Sequence, residues 1–414
     1  MDTKPARSQG DRAHAGEGAS PTDELALLLL CARTRVSPDG AQRIRALIGA
    51  GIEWETFAQL ARSHGVLLLC HQTLWQQCAE LVPPLLAARL QEACNQRVRI
   101  GLLRLAELSR VLALFAAHEL PALPFKGPLL GLLAYGNPTL REFGDLDILV
   151  REQDMPRAKA LLIAQGYTPG NPREYSAAQL AAMREIYHHE VFLQRERDLM
   201  VELHWRLAEY SFIGTLSNTD LWERCSSMPL NGVNVRLLPL EDLLLFLCAH
   251  GTKHCWWYLK WACDVAELLR VHAELDWQAV QARARATGNL RVLLLGVLLA
   301  HELLEAPVPA AVLRQARGSR AVVALVADVR RQLAVIHRDA PRLLELFRFQ
   351  LRSKERVADR FRLLLQRLIM PADGDWGAVS LPPVFAFLYW VVRPFRLLKR
   401  YGRLCLRQIF RKTE

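Results

Sequence analysis

Three carboxylates in this 414-residue chain stand where they could hold a divalent cation. Asp145 and Asp147 lie one residue apart in Gly144-Asp-Leu-Asp-Ile-Leu-Val, and Glu202 follows in Val201-Glu-Leu-His-Trp. Both stretches alternate polar and apolar positions, as a strand does when its side chains point to opposite faces in turn. Asp145 and Asp147 therefore share one face, while Leu146 and Ile148 point to a core. Two carboxylates a strand step apart repel, raise each other's pKa and call for a cation between them. Oxygen-only ligands suit Mg²⁺, which keeps waters and completes its shell with substrate phosphates. In the second stretch Val201, Leu203 and Trp205 face one way, Glu202 and His204 the other. If the two strands lie side by side, Glu202 becomes a third carboxylate of the same cluster. Three carboxylates around one or two Mg²⁺ ions are what in-line nucleotidyl transfer requires: one ion activates an attacking hydroxyl and both stabilise phosphate charge.

The elements that must position these residues can be read from periodicity. Residues 23–118 carry helical patterns: an acidic start at Asp23 and Glu24, a stripe of Trp54, Phe57, Leu60 and Ala61, and a long pattern from about Leu85 to His118. On that long helix Leu102, Leu105, Leu108, Val111, Leu112 and Phe115 are expected to line one face. Then the period changes. Pro121 to Phe125 reads as a short strand, Pro128 to Tyr135 as a short apolar helix, and Gly136-Asn-Pro as a break. Asp145 to Val150 is a strand, and Asp154 to Gln165 a helix closed by Gly166. His188–Gln194 and Leu199–Trp205 flank a charged turn and read as a hairpin. From Pro239 to about Met370 the pattern is helical again. The expected division is a disordered tail (1–22), a helical region (23–118), a small α/β core (119–210), a helical domain (211–370) and a Pro/Gly linker with a basic amphipathic tail (371–414). The expected class is α+β, mostly helical.

The ordered set Leu123-Pro-Phe-Lys-Gly, Tyr135-Gly-Asn-Pro, Arg141, Gly144-Asp-Leu-Asp-Ile-Leu-Val, Gly166-Tyr, Glu202-Leu-His-Trp, His250-Gly-Thr-Lys-His-Cys-Trp-Trp-Tyr-Leu-Lys-Trp and Asp264 resembles the polymerase-β-type nucleotidyltransferase superfamily. It looks closest to the bacterial branch described as nucleotidyltransferase family proteins, and the resemblance spans roughly residues 40–310. It implies a small polymerase-β-like α/β core between helical regions. It implies a metal-binding pair, Asp145 and Asp147, with Glu202 as the third acid. It also implies that Gly127 brings backbone N–H groups to a triphosphate at a helix N-terminus. The usual Gly-Ser or Gly-Gly turn is here Lys126-Gly127-Pro128. Pro128 lacks an N–H, so Lys126 is expected to compensate as a cation. The reaction implied is Mg²⁺-dependent transfer of a nucleoside monophosphate from an NTP, ATP foremost, to an unidentified acceptor hydroxyl. The alternative is a catalytically silent relative acting as a membrane-associated accessory protein in surface-polysaccharide biosynthesis.

Each assignment has a plainer counterpart. Asp145, Asp147 and Glu202 can be solvated acids of strand edges. Arg141 suits a phosphate or a cluster carboxylate through its bidentate fork, or is a surface arginine of a Gly/Pro-rich loop. Lys253 and His254 either face the cleft and touch nucleotide phosphates or the acceptor, or cap and pack a Trp-rich helix junction. His250 and His254 share a helix face beside three cysteines, but the spacing fits no usual zinc pattern. A P-loop and a G-x-G-x-x-G fingerprint are absent from the sequence, and no Ser-His-Asp set stands out.

Composition sets the outer bounds. Apolar residues make up 51% and charged residues 23%, which excludes a wholly disordered or fibrous chain. Nine cysteines without a CxxC pair argue against a disulfide scaffold and for a reducing compartment, so a cytoplasmic protein is expected. No stretch reaches the roughly 18 consecutive apolar residues of a spanning helix. The net charge is +11, of which residues 393–414 hold +7, so the rest is close to neutral for its size. Basic residues at 393, 396, 400, 403, 407 and 411 make one helical stripe among aromatics. Residues 384–412 therefore suit a peripheral contact with an anionic membrane, at the inner face of the cell membrane. The other reading is a helix docked on the protein's own core. Nucleic acid is not the expected partner.

Overall fold

The computed structural model describes residues 21–171, 187–207, 218–334, 343–371, 373–379, 381 and 383–410. The expected disordered tail lies outside these, except that helix α1 (Pro21–Cys31) already begins at Pro21. Helices α2 (Pro38–Ala50), α3 (Trp54–Ser63) and α4 (Leu67–Cys78) lead into α5 (Pro84–Ala117), a helix of 34 residues. A mixed sheet follows. Its strands are β1 (Ala122–Pro124), β2 (Leu146–Val150), β3 (Thr168–Pro169), β4 (His189–Gln194) and β5 (Leu199–His204), in the order β1-β2-β5-β4-β3. Strands β2 and β5 are parallel; the other neighbours are antiparallel. Helix α6 (Gly127–Tyr135) connects β1 to β2, and α7 (Met155–Ala164) follows β2. Gly166 comes after α7 with φ 84°, a left-handed conformation that glycine adopts without a Cβ clash.

Each face of the sheet is buried for a different purpose. Leu146, Ile148, Val201 and Leu203 point to one side and pack with Leu108, Val111, Leu112 and Phe115 of α5 and with Ala158 and Leu162 of α7. Full burial of such side chains stabilises by roughly 1.5–3 kcal/mol each. The other side carries Leu149 and the site residues, and it meets the helical body through Leu123 and Phe125. Phe125 packs edge-on against Phe246, with ring centres 5.1 Å apart.

Helix α5 belongs to both cores. Its first half adds Leu90 and Cys94 to the large helical core, and its second half builds the smaller core under the sheet. The expected apolar face is therefore interrupted: Leu102 is exposed, because the helix spans the gap between cores there. A further departure lies at residues 226–237. After α8 (Asn218–Arg224), strands β6 (Ser226–Leu230) and β7 (Val233–Leu237) form a hairpin that packs on β1 and α5. The helical body resumes with α9 (Leu240–Lys253), α10 (Leu259–Val271), α11 (Trp277–Ala286) and α12 (Leu290–Leu304). Then come α13 (Ala310–Gly318), α14 (Arg320–Leu333), α15 (Leu343–Ser353) and α16 (Val357–Leu368). Helices α17 (Asp373–Ala378) and α18 (Tyr389–Phe410) close the described chain. No helix among the described residues is long and apolar enough to cross a membrane. Eight of the cysteines are free thiols.

Candidate active site

The parallel pairing of β2 with β5 places Asp147 directly opposite Glu202. Asp145, two residues earlier, precedes the same strand. The register thus brings Glu202 to Asp147, while Asp145 is not among the residues whose ligand atoms gather there. Asp147, Glu202 and His204 each offer one ligand atom, all within 4.8 Å of one another. His204 does more than share the face. Its Nε2 donates to Asp147 Oδ1 at 3.1 Å and lies 3.3 Å from Glu202 Oε2, so one imidazole spans two acids. The ring is held edge-on against Phe125, with centres 4.9 Å apart.

Lys126 enters from the turn after β1. Its ammonium forms an ion pair with Asp147 Oδ1 and lies 5.6 Å and 5.7 Å from the ring centres of Phe125 and Phe246. The adjoining Gly127 has φ 55° and opens α6. A Cβ there would meet Asp145 O at 3.5 Å, so the requirement for glycine is conformational rather than spatial.

The charges around Asp147 set three carboxyl groups apart. Burial pushes Asp145 up, and the neighbouring Asp147 pushes it further. Burial would also raise Asp147, but Lys126 and His204 hold it well below the usual carboxylate range. Glu202 likewise ends lowered, its burial outweighed by the hydrogen bond from His204 together with the charges of His189 and His204. Burial alone would lower His204; its bonds to Asp147 and Glu202 raise it instead.

A divalent cation fits this donor set. Asp147 Oδ2 is buried and has no hydrogen-bond partner among the described residues. A buried carboxylate oxygen without a partner carries a cost that a cation removes. Asp145 stays raised because its burial and the nearby Asp147 and Glu202 outweigh the opposing charges of Lys126 and Arg141.

The other expected residues divide. Arg141 is buried and donates through Nε and Nη2 to Asp264 at 2.8 and 3.0 Å, while the Tyr135 hydroxyl donates to the same carboxylate at 2.7 Å. Its fork is therefore spent on helix α10. The phosphate role expected for Arg141 gives way to that of a tether between the core and the helical body. Asp264 pairs across to this arginine rather than with a cation of its own helix. Lys253, at the end of α9, contributes to the lowered pKa of His188 and so lies on the site's side of that helix. His254 stacks on Trp261, with centres 5.1 Å apart, which is a packing contact. Among the described residues no metal-ligand set forms at His250 and His254. The nearby Cys255 and Cys263 donate to the backbone carbonyls of Leu346 and Ala32.

Two residues escaped the sequence reading. His188 and His189 sit beside His204, and His189 Nε2 is 3.7 Å from Glu202 Oε1. The signal was available. With Gln194 opposite Leu199 across the charged turn, counting back along the hairpin pairs His189 with His204.

The arrangement offers two acids paired across β2 and β5, a third just before β2, an ammonium and a glycine-opened helix. A comparison with solved structures finds the antibiotic-resistance factor ANT(2'')-Ia at a TM-score of 0.31 and 13% identity, over 45% of this chain and 91% of that one. No curated protein matches the chain. The family model described as "Uncharacterised nucleotidyltransferase" matches residues 50–305. That span runs from α2 through the whole sheet to the end of α12, more than half of the chain, and the protein belongs to this nucleotidyltransferase family.

Proposed function

We propose that the chain transfers a nucleoside monophosphate from an NTP, ATP foremost, to an acceptor hydroxyl, in a Mg²⁺-dependent reaction that releases pyrophosphate. The observation that carries this reading is the register of β2 and β5, which sets Glu202 beside Asp147, with Asp145 two residues earlier in the chain. Asp145, Asp147 and Glu202 would hold the cation pair, which supplies neutralisation of phosphate charge and a more acidic attacking hydroxyl. Around it the chain's own residues position and exclude. His204 fixes the rotamers of Asp147 and Glu202. Lys126 gives a permanent positive charge for the triphosphate, and Lys253 gives a second one from α9. The N–H of Gly127 opens α6 toward the phosphates. Glu202, half-buried, takes the proton of the acceptor hydroxyl. The acceptor enters between the sheet face and helices α9 and α10. Free thiols and an NTP substrate suit the cytoplasm.

One observation favours the silent accessory reading. The Lys126 ammonium already sits on Asp147, as a built-in cation would. The two readings part in a titration of Mg²⁺ and each NTP followed by thermal stability. An enzyme is stabilised only when both are present, and Asp147→Asn loses at least about tenfold in apparent nucleotide affinity, the loss of one charge-assisted contact of roughly 1.5–3 kcal/mol. A wild-type protein indifferent to Mg²⁺ and every NTP would overturn the proposal.

The tail adds a peripheral contact with the inner face of an anionic membrane. Phe387 just before α18, and Trp390, Phe395 and Leu398 in its first half, are exposed, the amphipathic composition of an interfacial helix.

A further inference from the structure

Beside the carboxylates stands a second cluster, two of whose members, His188 and His189, have no part in the proposed nucleotidyl transfer. His189 opens β4 and lies directly opposite His204 on β5, and His188 precedes it. Each of the three offers one ring nitrogen, and these nitrogens all lie within 4.8 Å of one another. His188 Nε2 is 3.3 Å from His189 Nδ1. The rings of His189 and His204 are 4.9 Å apart and tilted by 31°. One of these imidazoles keeps an unmet polar atom on the side away from the carboxylates. Nδ1 of His204 is buried and has no hydrogen-bond partner among the described residues, and the residue is only 1% exposed. Such atoms are rare in folded proteins and ask for a ligand.

We propose that His188, His189 and His204 form a site for one divalent transition ion of the zinc class, separate from the Mg²⁺ ions assigned to Asp145, Asp147 and Glu202. Nitrogen donors select Zn²⁺ and its neighbours, whereas Mg²⁺ takes oxygen. A tetrahedral ion with Zn–N bonds of roughly 2.0–2.1 Å spaces its ligands by about 3.4 Å. The His188 Nε2–His189 Nδ1 pair already stands at 3.3 Å, and a ring nitrogen of His204 lies within 4.8 Å of both residues' ligand atoms. Carboxylates supply the outer support such sites use: Glu202 faces His189 Nε2 at 3.7 Å, and Asp147 accepts from His204 Nε2. Three protein ligands leave a fourth position for water or substrate, and His189, 22% exposed, faces the route from solvent. The site does not depend on the chain transferring nucleotides.

The test is a Co²⁺ titration of the chelator-stripped, full-length protein without a polyhistidine tag, followed by visible d–d absorption. The expected result is one Co²⁺ per chain, displaced by equimolar Zn²⁺ and untouched by a large excess of Mg²⁺. His189→Ala, at a partly exposed position, should weaken Co²⁺ binding about tenfold or more while melting as the wild type does. Asp145→Asn should leave the absorption intact even as it removes any Mg²⁺- and NTP-dependent behaviour. Absence of the bands in the wild type, binding unchanged in His189→Ala, or loss of the bands in Asp145→Asn would each overturn the proposal.

Discussion

At the scale of residues, type and spacing carried the acids further than they carried the cations. Asp145, Asp147 and Glu202 were legible because strand alternation settles which side chains share a face. Lys126 was legible as a cation near the site, but its ion pair with Asp147 depends on how the β1 turn folds over β2. Arg141 shows where residue type runs out. A guanidinium fork suits a phosphate and a carboxylate equally, and only packing reveals that Asp264 takes it. Glu107 was not legible at all, since an acid on an amphipathic helix reads as solvated. It is 5% exposed, bonded by Arg110 and Tyr167 and close to Arg197. Burial alone would raise its carboxyl, but Arg110 and Tyr167 leave it lowered. A lowered carboxyl stabilises fully above its ordinary pKa of about 4.3 and loses that contribution as pH falls through the folded value. Chemical denaturation from pH 7 to pH 3 should therefore show a shallower acid loss in Glu107→Gln than in the wild type. Parallel acid limbs would contradict this.

At the scale of elements, the sheet was read in pieces and its order was not. The hairpin β4–β5 and the helix α6 follow from local patterns. The parallel partnership of β2 and β5 is non-local, and nothing in the two sequences selects it over another pairing. The hairpin β6–β7 was missed because Ser226-Ser-Met-Pro-Leu alternates weakly and carries a proline, a residue tolerated at a sheet edge. Asn231-Gly232 between the strands was the signal for it. The contact of α6 with α10 is held by the buried group of Tyr135, Arg141 and Asp264. Removing one partner of a buried ion pair costs about 3–5 kcal/mol, because the other charge is left uncompensated. Arg141→Gln and Asp264→Asn should each destabilise by that order in urea, and the double variant by clearly less than their sum. Additive losses would mean that the two side chains act independently.

At the scale of the whole molecule, charge and apolar surface gather at the C-terminal end. The basic stripe is less free than its spacing implied. Arg393 and Arg396 both pair with Asp375 of α17, so part of it ties α18 to the chain's own helices. The side chains beyond residue 399 lie outside the described residues. The exposed aromatics remain, and sedimentation with vesicles tests them. Truncation after residue 380 should cut binding to phosphatidylglycerol vesicles several-fold, and salt should weaken the wild type. Equal binding by the truncated chain would contradict a membrane role and leave the carboxylate site untouched. That site is the central claim, and label transfer reaches it most directly. The full-length protein would be incubated with Mg²⁺ and NTPs labelled at the α-phosphate, against small-molecule, protein and RNA acceptors. The predicted result is label on one acceptor class with stoichiometric pyrophosphate, reduced at least about a hundredfold in Asp145→Asn. Nucleotide binding without pyrophosphate release across all three classes, or transfer undiminished in Asp145→Asn, would contradict it.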